Sequence, residues 1–196
     1  MIPTAPLRVR NRLAEIILAA LEQPEARREL AALAETEAPP DWLEPGDLDC
    51  RPLIRQRALS ADAALAARAS ERMRSRADVL EAAAALFDAH LYFEVHELLE
   101  PAWREAAGGE REALQGLIQI AVGYQHLANG NFAGARALLD EGRRRLCGHR
   151  LDGLDLDAFA LAVGRTVERI FQLDWRTVPA FPRPQKEISR EPRTDR

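Results

Sequence analysis

Residues 91–130 read LYFEVHELLEPAWREAAGGEREALQGLIQIAVGYQHLANG, and their apolar residues recur at the spacing of one helix face. This spacing is typical of amphipathic helices. Gly108 and Gly109 interrupt the pattern, so the stretch predicts two helices, over about residues 92–106 and 110–128. Because a short connection makes consecutive helices antiparallel neighbours, we expect these two helices to pack against each other.

The surrounding chain predicts further helices over about residues 77–89, 131–147 and 155–173. The block LYFEVHELLE at 91–100 aligns with GNFAGARALL at 130–139 at an offset of 39 residues, and each block follows an apolar helix and a short turn. The second turn, Asn129-Gly130-Asn131, suits the left-handed conformation that ends many helices. The sequence therefore predicts an all-α fold in which two stacked helical hairpins form a compact bundle, with extra N- and C-terminal helices.

Proline and charge patterns divide the rest of the chain. Pro24 marks a break or a second helix start in the N-terminal segment. Ser60 is a candidate N-cap for the segment after it, whose length predicts two helices with a break near Ser75. The predicted organisation is an N-terminal helical segment at 1–35, a proline-rich linker at 36–60, an all-α core at 61–175 with its main motifs at 86–146, and a disordered tail at 176–196.

Composition restricts the class of protein. Ala, Leu, Arg and Glu dominate, which favours helix, and the net charge of −4 offers no basic footprint for nucleic acid or an anionic membrane. Cys50 and Cys147 lie far apart without a CxxC partner, as in reduced cytosolic proteins. No apolar run is long enough to span a bilayer, so we expect a cytoplasmic protein.

Polar residues follow one stripe on each of the two central helices. At 100° per residue, His96, Glu97 and Glu100 border the apolar face of the first helix. The stripe on the second helix contains Gln115, Gln119 and His126. Ionisable groups are costly to bury without partners, so we expect the two stripes to face each other in one polar network.

These two blocks resemble the family called domain of unknown function 309. The first block has that family's pattern at Tyr92, Phe93, Glu94, His96, Glu97, Glu100 and Trp103, and the second has it at Gln115, Gly116, Gln119, His126 and Asn131. The resemblance covers about 60 of the 196 residues. It implies an all-α fold and brings no established activity.

Two functions remain open at this point. In the first, the stripes form a buried His/Glu/Gln network in a binding or interaction module without a cofactor, and Tyr92, Trp103 and Tyr124 line a ligand pocket. In the second, a hydrolase-like enzyme holds a divalent metal with His96, Glu100 and His126, and Glu97 is the general base. Metal-free acid/base chemistry at His96 is a variant of the second function. The partner is an unidentified protein or small molecule in either case, and homodimerisation is left open.

Overall fold

The computed structural model describes residues 5–184. Within them the chain forms eight α-helices: α1 (Leu7–Ala19), α2 (Pro24–Glu35), α3 (Arg51–Leu65), α4 (Arg76–Asp88), α5 (Tyr92–Glu105), α6 (Gly108–Ala128), α7 (Phe132–Leu146) and α8 (Asp157–Glu168). Two antiparallel two-residue strands, β1 (Arg150–Leu151) and β2 (Leu154–Asp155), join α7 to α8. The predicted all-α fold is confirmed. No helix of residues 5–184 combines the length and apolarity that a membrane crossing needs.

The same backbone motif connects α4 to α5 and α6 to α7. At the end of α4 the N–H of His90 donates to the carbonyl of Phe87, and the N–H of Leu91 donates to that of Leu86, both at 2.9 Å. This is a Schellman motif, in which the residue after the helix adopts a left-handed conformation. His90 occupies that position with a φ of 61°.

The end of α6 repeats this motif with glycine in the left-handed position. Gly130 has a φ of 76°, and its N–H donates to the carbonyl of Leu127 at 3.0 Å. The N–H of Asn131 donates to the carbonyl of His126 at 2.9 Å, and its side chain then accepts from the N–H of Gly134 to cap α7. The predicted turn at 129–131 is confirmed.

The two hairpins repeat at 40 residues, one more than the sequence alignment indicates. The helices α5 and α7 begin at Tyr92 and Phe132, and the matching turn residues are His90 and Gly130. At this offset Leu99 corresponds to Leu139, and both side chains are fully buried. The sequence alignment at an offset of 39 residues matched similar residue types. The structural repeat at 40 residues instead matches buried positions and the positions of the turns.

Small residues allow α6 and α7 to approach each other closely. A Cβ atom added to Gly116 would lie 2.9 Å from the carbonyl oxygen of Gly142, and one added to Gly142 would lie 2.8 Å from that of Gly116. Real Cβ contacts are not this short, so each glycine admits the backbone of the other helix. The hairpin α6/α7 is therefore held by backbone packing as well as by side chains.

The N-terminal helices differ from the sequence-based division. The helix α3 begins at Arg51 inside the predicted linker, and Ser60 lies within it instead of capping its start. Pro52 is compatible with this helix because it occupies the first turn, where its missing N–H has no helical partner. Ser75 caps α4 and forms a capping box with Asp78, as expected from the break near Ser75.

Residues 176–184 also differ from the predicted disordered tail. Phe181 is buried, and its ring centroid lies 5.1 Å from that of Phe87 in α4. Its backbone N–H donates to Asp88, which also binds Arg183 at 2.8 Å. The apolar ring thus attaches this proline-rich segment to the core. Residues 185–196 of the predicted tail lie outside the described residues.

Candidate functional site

The first of the predicted site residues, Tyr92, belongs to the core. Its ring stacks on that of Tyr124 with centroids 5.4 Å apart and meets the ring of Phe87 edge-on at 5.0 Å. Burial raises the pKa of Tyr92 far above its ordinary value, and raises that of Tyr124 to about 12 even though its hydroxyl shares a 2.9 Å hydrogen bond with Thr166. Neither phenol ionises near neutral pH, so the pair acts in packing.

Glu94 is fully buried and pairs with an arginine outside the central hairpins. Both of its carboxylate oxygens accept from Nη2 of Arg57 on α3, at 2.9 and 2.6 Å. Next to it, Phe93 is half-buried, and the guanidinium of Arg10 on α1 lies 4.1 Å from its ring centroid. These two neighbouring residues of α5 therefore bind the N-terminal helices. Sequence reasoning missed Arg57 and Arg10 because no local pattern relates them to α5.

The remaining polar residues of α5 find partners on their own helix. His96 Nδ1 donates to Glu97 Oε1 at 3.0 Å, and both side chains are partly exposed. Glu100 accepts from Arg104, one turn later, at 2.8 Å. Among residues 5–184 no hydrogen bond involves His96 Nε2, so this atom can serve as an acceptor in the neutral ring.

The stripe on α6 is half-buried. His126 Nδ1 accepts from the side-chain amide of Asn131 at 2.7 Å, which ties the end of α6 to the start of α7. Gln119 Oε1 is buried and has no hydrogen-bond partner among the described residues. The third member, Gln115, is also half-buried.

Trp103 closes the α5/α6 turn together with an arginine that sequence reasoning did not identify. The guanidinium of Arg111 lies 4.1 Å from the indole centroid, and its Nη1 donates to the carbonyl of Trp103 at 2.9 Å. Trp103 Nε1 is buried and lacks a partner among residues 5–184. The Arg111 contact spans eight residues across the turn, so helix periodicity alone gives no signal for it.

The predicted network between the stripes does not form as expected. In the described part of the chain, no side-chain hydrogen bond joins His96, Glu97 or Glu100 to a residue of the α6 stripe. Partly exposed carboxylates remain hydrated and can pair along their own helix. They therefore avoid the cost of burying an unpaired charge without a hydrogen bond to the facing helix. Among the predicted site residues, the carboxylate whose burial does enforce an ion pair is Glu94, which pairs with Arg57.

The residues proposed as metal ligands are not grouped. Within residues 5–184, no three His, Cys, Asp or Glu side chains are placed so that they could hold one ion, and this includes His96, Glu100 and His126. Glu97, the candidate general base, instead orients the imidazole of His96.

Comparison with known protein families gives one match. Residues 80–138 match the family model of the domain of unknown function DUF309. The resemblance stated from the sequence is confirmed for this segment. The DUF309 match covers less than a third of the chain, from the second turn of α4 to the middle of α7.

All ten predicted site residues lie in the DUF309 segment, whereas Arg10 and Arg57 lie outside it. The description of the family states no activity, so the match supports a helical module of unknown function. Searches of curated proteins and of solved structures gave no significant match.

Proposed function

We propose that this chain is a binding module that recognises a ligand along the outer face of α5 and α6. We define the α5/α6 groove by His96, Glu100 and Trp103 on α5 and by Gln115 and Gln119 on α6. All five side chains are half-buried. Successive members of each stripe lie within about 60° of one another on an ideal helix, so each stripe forms a continuous edge.

The observation that carries this proposal is the buried, unpartnered oxygen of Gln119. A buried polar atom without a hydrogen bond costs about 1–3 kcal/mol. Trp103 Nε1 is also buried without a hydrogen-bond partner among the described residues. It is a donor, whereas Gln119 Oε1 is an acceptor. Both atoms are covered in the ligand-free protein, so binding would have to turn the two side chains outward. Their opposite kinds favour a ligand that presents both a donor and an acceptor.

The spacing of these groups suits an amide-containing ligand. Arg111 contacts Trp103, and Gln119 follows Arg111 by eight residues, which is about 12 Å along the axis of α6. A peptide of about four extended residues has this length and carries both hydrogen-bonding groups of the amide. His96 precedes Trp103 by seven residues, or about 10.5 Å along α5, so its Nε2 adds an acceptor near the Gln119 end. We therefore propose a short peptide segment as the ligand class.

A nuclear magnetic resonance titration with acetylated, amidated tetrapeptides tests the proposal. The indole N–H signal of Trp103 reports on the groove directly, and the indole of Trp175 is a reference on another part of the molecule. We expect at least one peptide of the set to shift the Trp103 signal in a saturable way. Gln119→Ala should weaken this binding about tenfold, because it removes one hydrogen bond to the ligand. A loss of about 1.4 kcal/mol in binding free energy corresponds to that factor.

Gln56→Ala is the matched control, because Gln56 is an exposed glutamine of α3. It should leave the titration unchanged. Equal affinities of the Gln119→Ala and Gln56→Ala variants, or a Trp103 indole that no peptide shifts, would refute a peptide-binding groove.

A further inference from the structure

A concave surface on the N-terminal side of the molecule shares no residue with the α5/α6 groove. It is an open cavity of about 470 Å³ between the end of α2, the segment 36–40 and the start of α3. Cavities that hold small molecules have about 300–1,000 Å³. The size therefore suits a small ligand.

The base of this cavity is apolar. Leu33 and Ile54 line it with side chains that are almost fully buried, and Pro40 and Pro52 add apolar surface. Leu48 also lines the cavity but is 43% exposed, which is unusual for a leucine beside a core. An apolar ligand body would cover Leu48 and remove this surface from water.

One side of the cavity carries two arginines without carboxylate partners. Arg51 and Arg55 are one helical turn apart on α3, and neither forms an ion pair within residues 5–184. Arg51 Nε is buried and has no hydrogen-bond acceptor among the described residues. Two neighbouring guanidinium groups that no carboxylate of the described residues neutralises favour a ligand carboxylate, which guanidinium groups bind in a planar, two-point geometry.

Two exposed carboxylates, Glu37 and Asp49, also line the cavity. They oppose the entry of a highly charged anion, because repulsion grows with the ligand's charge.

We infer that this cavity binds a small monocarboxylic acid with an apolar body. Its carboxylate pairs with Arg51 and Arg55, and its body lies over Leu33, Leu48 and Ile54. This inference does not depend on the α5/α6 groove.

Titration of the full chain with decanoate, followed by nuclear magnetic resonance, tests the inference. We expect saturable shifts of the backbone amides of Leu48 and Ile54. Decanol, which keeps the apolar body, and acetate, which keeps the carboxylate, should each bind at least tenfold more weakly than decanoate. Arg51→Gln should weaken decanoate binding by a similar factor, and Arg51→Lys should restore only part of it because lysine lacks the planar fork.

Arg136→Gln is the matched control, because Arg136 is an exposed arginine of α7 that does not line this cavity. If either Arg51 variant fails to fold, as judged from a loss of spectral dispersion, the decanoate affinity of Arg55→Gln is compared with that of Arg136→Gln instead. Equal binding of decanoate and decanol, equal effects of Arg51→Gln and Arg136→Gln, or shifts confined to other surfaces would overturn the inference.

Discussion

At the scale of single residues, burial separates glutamates that look alike in the sequence. Glu94 and Glu100 are six positions apart on α5. Glu94 has no exposed surface and pairs with Arg57 of another helix, whereas the side chain of Glu100 is 29% exposed and pairs with Arg104 of the same helix. The first carboxylate depends on its partner because water cannot replace it, and the second does not.

We expect Glu94→Ala to lower the free energy of unfolding by about 3 kcal/mol, because it leaves the Arg57 guanidinium without its buried counter-charge. The control Glu100→Ala should cost less than about 1 kcal/mol, as exposed ion pairs along a helix do. Urea unfolding followed by circular dichroism measures both values. Similar losses for the two variants would show that the Arg57–Glu94 pair has no special role in stability.

At the scale of helices, the turns and the close contacts decide how the hairpins pack. The turns after α4 and α6 share one hydrogen-bond pattern, although His90 occupies the left-handed position in the first and Gly130 in the second. The helices α6 and α7 then come together at Gly116 and Gly142, where each backbone oxygen faces the other glycine. A side chain at either position would separate the helices.

Gly142→Ala should therefore destabilise the protein by about 1–2 kcal/mol, because overpacking outweighs the better helix propensity of alanine. The added Cβ would meet the backbone oxygen of Gly116 at 2.8 Å, and backbone atoms cannot move aside cheaply. Thermal unfolding measures the change as a lower Tm.

Gly164→Ala is the control for this variant. Gly164 lies inside α8, and the nearest side chain that an added Cβ would meet among the described residues is Arg143, at an ordinary 3.7 Å. We expect it to raise stability by up to about 1 kcal/mol, since alanine replaces glycine in a helix interior. A stabilising Gly142→Ala variant would contradict the close packing of α6 and α7.

At the scale of the whole molecule, segments distant in sequence complete one aromatic core around Phe87. Tyr92 and Tyr124 come from the DUF309 segment, whereas Phe159 and Phe181 come from the C-terminal part of the chain. The DUF309 segment therefore shares its core with residues that the family match does not cover. Because Phe181 belongs to this core, the proline-rich segment 176–184 is part of the folded unit.

Phe181→Ala should lower the free energy of unfolding by about 3 kcal/mol, because it leaves a cavity beside Phe87 and Phe159. Phe171→Ala is the matched control, since the side chain of Phe171 is 75% exposed, and it should cost less than about 0.5 kcal/mol. Urea unfolding measures the two values. A negligible effect of Phe181→Ala would mean that the C-terminal segment does not contribute to the core.

Local sequence patterns were sufficient to predict the helical hairpins. The predicted helices at 77–89, 92–106, 110–128 and 131–147 correspond to α4, α5, α6 and α7 within two residues at each end. The turn at 129–131 and the break near Ser75 are also confirmed. These features could be predicted because apolar periodicity, capping residues and turn glycines act over one or two helical turns.

The partners of the polar side chains, in contrast, became known from the packing of the helices. Helix periodicity placed His96 and Gln119 on stripes at the edge of the core. It could not show that His96 would pair with Glu97, or that Gln119 Oε1 would lack a partner among residues 5–184. Arg57 and Glu94 are 37 residues apart, and Asp88 and Phe181 are 93 residues apart. The free energy of such contacts depends on burial by helices that are distant in sequence, and local patterns carry no information about that burial.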